Sequence, residues 1–423
     1  MNTRITKPIQ GGTVKAIASK SNAHRLLICA ALADKSTFIA CPTRSEDINA
    51  TVGCLEALGA TVGYEKDGFI VSPIDRSKPS QGRLALDCGE SGSTLRFILP
   101  VCGALGVQAS LIMGGRLPTR PLSPLYDEMV LKGCVLSKQG ISPLTFEGQL
   151  TSGTYTIPGD ISSQYISGLL FALPLLPGES IIRVTGTLES RPYVDMTLDS
   201  LRAFGVIVYE DDEYTFRIPG NQIYRSPGNL AVEGDWSNAA FWLCAGAIGP
   251  QVTCTGLNLD SKQGDRAVLA ILERFGAKIS IENDTVTVTP GQLRGIEINA
   301  ENTPDLVPVL AAVAAVAEGT TTIINAGRLR IKESDRLFTV TDSLSALGAH
   351  ITETPDGLVI YGGNPLSGGT VKSFGDHRIA MMAAIISVAC NGEVTINNAD
   401  AVNKSYPGFF EDFVALGGAW SVA

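Results

Sequence analysis

A short pattern recurs six times along the chain and constrains its fold more than any other feature. Each copy has an apolar residue, two or three mixed residues, a glycine, a small residue and an apolar, strand-like residue. The glycines of the six copies are Gly59, Gly133, Gly205, Gly276, Gly348 and Gly417, so that successive spacings are 74, 72, 71, 72 and 69 residues. Spacing this constant over the whole chain indicates a protein built from repeated modules.

Each copy is typical of an amphipathic helix that ends at a glycine and is followed at once by a strand. Glycine adopts the left-handed C-cap conformation without a Cβ clash, which explains the fixed residue type. Alternating runs around turn signals such as Asp67-Gly68 and Asp356-Gly357 predict hairpins after the cap. Because 423 residues favour two domains over one core, we predict six small α/β modules, three in each domain.

Composition excludes several classes of protein. The longest strongly apolar stretch, residues 379–390, is shorter than the roughly 18 residues of a membrane span, and residues 1–12 lack the apolar core of a secretory signal. The net charge of −9 argues against a general nucleic-acid binder. Nine cysteines without a CxxC pair and three histidines without HxxxH spacing predict buried thiols in a cytoplasmic protein, with no metal site and no disulfides.

Polar and basic residues are concentrated in segments predicted to be helix starts or loops. Free N–H groups at a helix start favour bound anions, and arginine grips carboxylate or phosphate through two hydrogen bonds. Lys332 and Arg336, four residues apart, would share a face if this segment is helical. Each segment alone also fits an ordinary capped helix or solvated loop. The segments are residues 19–25, 89–96, 114–121, 160–165, 328–336, 375–378 and 403–407.

Together these segments provide an unusually basic set of side chains for an acidic protein. If they converge, their mutual repulsion requires several bound negative charges, which two phosphorylated or carboxylated small molecules would supply. Asp305, Glu333 and His377 are then candidates for proton transfer. The basic set is Lys20, Arg25, Arg120, Lys332, Arg336, Arg378 and Lys404.

Eight motifs occur in a fixed order between residues 19 and 410: SKSNAHR, GESGSTLRF, LPTRP, DISSQY, ESRPY, IKESDRL, GDHRIAM and NKSYPGFF. In composition and order they closely resemble the EPSP synthase family of enolpyruvyl transferases. The resemblance implies an α/β (α+β) fold, a two-domain inside-out α/β barrel of six βαβαββ-type repeats, three per domain around a pseudo-threefold axis. It implies an N-terminal domain of residues 19–233, which mainly binds shikimate 3-phosphate, and a C-terminal domain of residues 234–423 completed by residues 1–18. The active site would lie in the cleft between the domains.

The resemblance also implies a reaction. The enolpyruvyl group of phosphoenolpyruvate would pass to the 5-hydroxyl of shikimate 3-phosphate through a tetrahedral intermediate, and phosphate would leave, as a step in chorismate and aromatic amino-acid biosynthesis. No cofactor and no metal are implied. The expected partners are the two small-molecule substrates, with no nucleic acid or membrane, and we expect a monomer that is a target of glyphosate-type inhibitors.

The same resemblance assigns roles to individual residues. Asp305 would take the proton of the 5-hydroxyl, and Glu333, with Lys20, His377 and Lys404, would protonate and deprotonate the methylene carbon. Residues implied to hold shikimate 3-phosphate are Lys20, Ser21, Arg25, Ser162, Ser163, Gln164, Ser190, Tyr193, Asp305 and Lys332. Residues implied to hold phosphoenolpyruvate are Lys20, Gly92, Arg120, Gln164, Arg336, Arg378 and Lys404.

Two departures and two alternative functions remain open at this point. Glu90 stands where many relatives have Asn, and Arg328 where some have Asn, which leaves those substrate contacts and inhibitor sensitivity undetermined. A UDP-N-acetylglucosamine enolpyruvyl transferase would carry a reactive Cys in the loop matching residues 114–121, and this chain has none between residues 103 and 133. A non-catalytic modular binding protein would explain the repeats, but it leaves Asp305 and Glu333 beside so many cations unexplained.

Overall fold

The computed structural model describes residues 1–77 and 82–423, and its helices are short. The longest, α3, has 14 residues, and no helix in the described ranges is long and apolar enough to cross a membrane. The α-helices are α1 (Lys20–Ala31), α2 (Glu46–Ala57), α3 (Gly92–Leu105), α4 (Leu125–Leu131), α5 (Ser163–Ala172), α6 (Arg191–Ala203), α7 (Trp236–Ile248), α8 (Val268–Phe275), α9 (Val307–Val316), α10 (Arg336–Ala346), α11 (His377–Ile386) and α12 (Phe409–Ala415). Short 3-10 helices span Leu117–Thr119, Leu173–Leu175, Gly264–Ala267, Pro304–Leu306, Gly327–Ile331, Ser387–Ala389 and Ala399–Lys404.

The strands of the described chain form six four-stranded sheets with one shared topology. In each sheet one outer pair is parallel and the other two pairs are antiparallel. Three sheets, in hydrogen-bonded order from the parallel end, are β14 (Asn229–Ala231), β3 (Thr37–Ala40), β5 (Gly68–Ser72), β4 (Thr61–Glu65); β6 (Arg83–Asp87), β7 (Gln108–Ile112), β9 (Leu144–Gly148), β8 (Cys134–Leu136); and β10 (Thr154–Pro158), β11 (Ser180–Thr185), β13 (Thr215–Ile218), β12 (Tyr209–Asp212). The other three are β2 (Gly12–Lys15), β15 (Val252–Thr255), β17 (Thr285–Thr289), β16 (Lys278–Glu282); β18 (Glu297–Asn299), β19 (Gly319–Ile324), β21 (Gly357–Gly362), β20 (His350–Thr354); and β22 (Gly369–Lys372), β23 (Val394–Asn397), β1 (Thr3–Lys7), β24 (Ala419–Val422).

The chain divides into two compact units with three sheets in each. The N-terminal unit is Lys20–Val232, and the C-terminal unit combines Met1–Ser19 with Glu233–Ala423. Strand β1 pairs with β23 and β24, and β2 pairs with β15, so the first strands of the chain belong to sheets of the C-terminal unit. The predicted α/β fold of six repeats, three per domain, is confirmed.

Helices that are apolar on every side form the core of the C-terminal unit. Helices α7, α9 and α11 come from three different repeats and pack against one another. The apolar sequence of α9 explains its burial, since a helix without a polar face can only be buried. In the N-terminal unit α5 packs against both α3 and α6, and α1 packs against both α2 and α6. The polar motif segments therefore precede buried helices, at the starts of α1, α3, α5 and α11.

Side-chain caps fix where these helices begin. Ser91, for example, accepts a hydrogen bond from the backbone N–H of Thr94, which satisfies a donor that the first helical turn leaves unpaired. Segment 332–335 is not helical, since α10 begins only at Arg336, so the condition under which Lys332 and Arg336 would share a helix face is not met. Capping side chains are Ser45, Ser91, Ser162, Asp235, Asp335 and Asp376.

The six pattern glycines all have the left-handed backbone conformation that the sequence predicts. Their φ angles are 105°, 102°, 70°, 108°, 93° and 85° in chain order. The glycine caps thus account for the sharp passage from helix to strand in every repeat.

Eight of the nine cysteines are buried and Cys390 is partly buried, which confirms their prediction as buried thiols.

We expect Gly276→Ala to lower the free energy of unfolding by about 1 kcal/mol or more beyond the effect of Gly348→Ala. Both positions carry a positive φ, which costs a non-glycine residue roughly 1–2 kcal/mol. A Cβ at Gly276 would also overlap the carbonyl oxygen of Gln292, whereas one at Gly348 has ordinary contacts from 3.4 Å outwards. Urea unfolding of the two variants measures the difference, and equal losses would contradict the close approach.

Candidate active site

A cluster around Arg25 joins α1 to α6 in the N-terminal unit. The Arg25 side chain is buried, and its Nε donates to Thr197 Oγ1 at 2.8 Å. Its two terminal nitrogens donate to the carbonyl oxygens of Ser21 at 2.8 Å and Tyr193 at 2.7 Å. Ser190, at φ 56°, is the residue before α6, and its carbonyl accepts from the Tyr193 N–H at 3.0 Å. The structure therefore gathers Ser21, Arg25, Ser190 and Tyr193, and it adds Thr197, which the sequence did not indicate.

Lys20 is the first residue of α1 and pairs with a carboxylate of the neighbouring helix. Its Nζ lies 2.8 Å from Asp47 Oδ2 on α2, and the two side chains are 15% and 14% exposed. Sequence reasoning missed Asp47. The available signal was its place in the first turn of a helix capped by Ser45, where acidic residues are common. The pair holds the Lys20 ammonium at the helix start.

Arg96 links the starts of α3 and α5. Its Nη1 donates to Gln164 Oε1 at 2.7 Å, and its Nη2 donates to the Pro121 carbonyl at 3.0 Å. The Gln164 amide in turn donates to Ser93 Oγ at 2.9 Å. Arg96 lies in the motif GESGSTLRF, but the sequence did not indicate a function for it. The available signal was its position four residues after Gly92, on the same helix face.

The absence of a side chain at Gly92 makes room for two guanidinium groups. A Cβ there would lie 2.9 Å from Arg120 Nη1 and 3.0 Å from Arg96 Nη1. Both guanidiniums thus approach the first residue of α3, where the helix dipole also favours negative charge. The two predicted serines stand at the start of α5: Ser162 caps the helix by accepting from the Gln164 N–H at 3.3 Å, and Ser163 is buried. This arrangement suits a phosphate or carboxylate.

Glu90 and Arg328, the two residues that depart from the pattern of the resembling family, each make a specific contact. The Glu90 carboxylate packs against Gly115, where any Cβ would overlap it, so the side chain is directed at the turn that begins the Arg116–Arg120 loop. Arg328 donates from Nη2 to the Glu301 carbonyl at 2.6 Å.

A cluster around Arg336 organises the C-terminal unit. The Arg336 side chain is 1% exposed and bonds three carboxylates. Its Nη1 donates to Asp305 Oδ1 at 2.7 Å, its Nη2 to Glu333 Oε2 at 2.8 Å and its Nε to Asp376 Oδ2 at 2.8 Å. Asp376, which is fully buried, also accepts from Ser334 Oγ at 3.0 Å. Sequence reasoning missed Asp376, although it stands within the Asp-His-Arg motif.

The start of α11 supplies further groups to this cluster. Arg378 Nη2 lies 3.2 Å from Asp305 Oδ2, and its Nη1 donates to the Asp305 carbonyl at 3.1 Å. His377 is buried, with Nδ1 3.9 Å from Asp376 Oδ1. Lys404 Nζ donates to the carbonyl of Gly375, just before this helix, at 2.6 Å. The Arg336 cluster, meaning Asp305, Lys332, Glu333, Arg336, Asp376, His377, Arg378 and Lys404, thus brings together every site residue predicted in the C-terminal unit.

Neighbouring charges set the protonation of this cluster. Burial alone would raise the pKa of Asp305, but Arg378, Lys332 and Arg336 lower it well below its ordinary value. Burial lowers the pKa of Lys332 to about 8, although Asp305 acts in the opposite direction. Asp305 is therefore ionised and able to accept a proton, and Lys332 holds its proton less tightly than an exposed lysine does.

Asp265 is a buried carboxyl near this cluster that sequence reasoning did not find. It accepts a hydrogen bond from the Ser237 hydroxyl. Burial and then Asp305 raise its pKa, Arg378 acts in the opposite direction, and the resulting pKa is about 7. Asp265 lies outside every motif segment identified in the sequence.

We expect Asp265→Asn to remove a pH dependence of stability between about pH 4 and pH 7. The folded state binds this proton more tightly than the unfolded state, so its contribution is present below pH 4 and is lost as the pH rises towards 7. For a pKa raised by about three units, the free energy of unfolding lost over this pH range is at most roughly 4 kcal/mol. Urea unfolding at pH 5 and pH 8 measures it, with the exposed Glu282→Gln as control. A variant with the wild-type slope would contradict the assignment.

Known proteins resemble this chain over nearly its full length. The family model described as EPSP synthase (3-phosphoshikimate 1-carboxyvinyltransferase) matches residues 4–413. A 3-phosphoshikimate 1-carboxyvinyltransferase of Clostridium kluyveri is 46% identical over 417 residues, covering 97% of each chain. One of Clostridium perfringens is 46% identical over 410 residues, covering 96% of each.

Solved structures share the fold over the full length. An EPSP synthase of Acinetobacter baumannii superposes with a TM-score of 0.82 at 26% identity, covering 99% of each chain. The enolpyruvyl transferase NikO of Streptomyces tendae superposes with a TM-score of 0.79 at 21% identity, covering 99% of this chain and 98% of that one, which is a likeness of fold alone.

Proposed function

This chain belongs to the EPSP synthase family, and on that premise we propose that it transfers the enolpyruvyl group of phosphoenolpyruvate to the 5-hydroxyl of shikimate 3-phosphate. The products are 5-enolpyruvylshikimate 3-phosphate and phosphate, in the pathway to chorismate and the aromatic amino acids. The observation that carries the proposal is the Arg336 cluster. In this cluster the Arg336 guanidinium bonds both Glu333 and the ionised Asp305. Arg378 and Lys332 lie beside Asp305.

The reaction divides into an addition and an elimination. In the addition, the 5-hydroxyl oxygen bonds to C2 of the enolpyruvyl group and loses its proton to Asp305. C3 gains a proton in the same half of the reaction. In the elimination, the C2–O bond to phosphate breaks and C3 loses a proton. We assign the proton transfers at C3 to Glu333, with Lys20, His377 and Lys404 supporting it. Fixed cations stabilise the departing phosphate without the cost of reorganising solvent.

The substrate charges are expected to activate Asp305. A carboxylate whose pKa is held low by cations is a weak base. Phosphoenolpyruvate and shikimate 3-phosphate bring several negative charges, which offset these cations and raise the pKa of Asp305. The base therefore gains strength when the substrates are bound.

We assign substrate binding to the groups that the clusters hold in place. Arg25 and Lys20 suit the phosphate of the acceptor. The residues assigned to shikimate 3-phosphate as a whole also include Ser21, Ser162, Ser163, Gln164, Ser190, Tyr193, Asp305 and Lys332. The guanidinium of Arg120 beside Gly92 suits the phosphate or carboxylate of phosphoenolpyruvate, together with Lys20, Gln164, Arg336, Arg378 and Lys404. Glu90, turned to Gly115, leaves the start of α3 to the arginines.

Phosphate release from phosphoenolpyruvate tests the function. We expect release that requires shikimate 3-phosphate, does not occur with UDP-N-acetylglucosamine, and is lost in Asp305→Ala. Release only with the nucleotide sugar would move the function to that acceptor. Release with neither would favour a modular binding protein.

We further propose that the enzyme is a cytoplasmic monomer whose partners are its two small substrates, and that it is a target of glyphosate-type inhibitors. The nine free thiols are consistent with a reducing compartment.

A further inference from the structure

A buried chain of side-chain hydrogen bonds joins α1, α2 and α3 in the N-terminal unit. His24 Nδ1 on α1 lies 2.7 Å from Thr51 Oγ1 on α2. Thr51 Oγ1 lies 2.7 Å from Thr94 Oγ1 on α3, and Thr94 donates to Ser91 Oγ at 2.8 Å. All four side chains are at most 1% exposed. We call these four residues the His24 relay.

The direction of the Thr94 hydrogen bond implies one proton order for the relay. Each hydroxyl carries one proton, and Thr94 directs its own to Ser91 Oγ at 2.8 Å, which is nearer than its other acceptor, the Asp47 carbonyl at 3.5 Å. Thr51 must then donate to Thr94, and His24 must donate to Thr51 from Nδ1. His24 Nε2 is left as a buried lone pair with no hydrogen bond in the described chain. This neutral form agrees with a pKa of His24 well below its ordinary value, caused by burial and then by Lys20 and Arg25.

The relay connects the polar groups assigned to the substrates. His24 lies between Lys20 and Arg25 on α1, and α2 carries Asp47, the partner of Lys20. Ser91 caps α3 immediately before Gly92. Since buried hydrogen bonds are costly to break, the relay ties the first turns of α1 and α3 to the middle of α2.

We propose that His24 is a positioning residue, which through Thr51 and Thr94 holds the start of α1 in register with the start of α3. This inference rests on the proposed function, because it assigns the relay to the alignment of the groups that bind the two substrates. His24 takes no part in proton transfer, since its one donated proton is committed to Thr51. Small displacements of binding groups are sufficient to reduce rates severely, by as much as about 10²-fold for 1 Å.

Thr51→Val tests the relay with little change of side-chain volume. We expect kcat/KM to fall about tenfold or more for each substrate, with KM rising for both. The matched control is Thr37→Val, which removes a 2.7 Å hydrogen bond to Ser226 Oγ from an equally buried threonine of the same unit. The control is expected to keep wild-type constants, and equal constants for the two variants would overturn the proposal.

Substitution of His24 itself separates positioning from proton transfer. We expect His24→Asn, whose amide can donate to Thr51, to retain activity within about threefold and to keep the pH profile, while His24→Leu loses about tenfold or more. Equal losses in both variants, or the loss of one limb of the pH profile in His24→Asn, would overturn the proposal.

Hydrogen exchange provides a readout that does not depend on turnover. The amide of Thr94 donates to Ser91 Oγ at 3.2 Å, so exchange in a peptide covering residues 91–96 should be about tenfold faster in Thr51→Val and unchanged in Thr37→Val. Unchanged exchange in Thr51→Val would overturn the positioning role. A wild-type protein that releases no phosphate but shows the exchange difference would reject the proposed reaction and leave the relay supported.

Discussion

Asp305→Asn is expected to lower kcat by about 10²- to 10⁴-fold with little change in KM, because it removes the base assigned to the 5-hydroxyl. Asparagine matches the shape of aspartate and can still accept from Arg336 Nη1, now 2.7 Å from Asp305 Oδ1. It cannot take a proton. Steady-state phosphate release at saturating concentrations of both substrates measures the loss.

Glu353→Gln is the control for this change. Glu353 accepts from Arg330 Nη1 at 3.0 Å in the same unit and is 35% exposed, so its conversion to an amide also removes an ion pair. It should keep kcat within about twofold, as for most exposed ion pairs. A fall in Asp305→Asn of less than tenfold would exclude Asp305 as the base. A rise in KM with kcat unchanged would assign it to substrate binding only.

Arg336→Lys is expected to lower the free energy of unfolding of the C-terminal unit by about 3–5 kcal/mol and to reduce kcat/KM at least 10²-fold. The charge is preserved, so the variant tests geometry. The guanidinium presents three separate nitrogens to Asp305, Glu333 and Asp376, whereas an ammonium has one. The fully buried Asp376 then faces other carboxylates without its main partner.

The matched variant is Arg330→Lys. Arg330 also bonds two carboxylates, Asp335 and Glu353, each at 3.0 Å, but its side chain is 30% exposed. Water can replace those contacts, so the loss should stay near 1 kcal/mol or less. Urea unfolding of both variants gives the comparison. Losses of similar size would mean that burial and the third carboxylate add nothing to the role of Arg336.

The repeat pattern predicted the architecture because the signals within each module are local. In five repeats a helix end, a glycine cap and a hairpin occupy about 20 consecutive residues, and in the sixth β24 follows the cap and pairs with β1. The starts of α1, α3, α5 and α11 were predictable because their signals are also local. The non-helical segment before Arg336 could not be predicted, since its run of charged residues is also typical of the start of a helix.

Partners that come from different elements could not be predicted. Arg336 bonds Glu333 three residues away, but also Asp305 and Asp376, which are 31 and 40 residues away. Nothing in the chain near Lys20 indicates Asp47, and nothing near Arg96 indicates Gln164, 68 residues later. The sequence marked the cations and named Asp305, Glu333 and Gln164 as candidates, but which cation bonds which of these groups became visible only in the structure.

The place of β1 has a consequence for how the protein is made on the ribosome. Residues 20–232 form a unit that is continuous in sequence, so its sheets can pair while the rest of the chain is still being synthesised. Strand β1 is synthesised before that unit, yet it lies between β23 and β24, and β24 has no other partner in its sheet. Residues 3–7 therefore cannot form their native pairs until residues 394–422 have been made, and until then both edges of this segment are open to pairing with other chains.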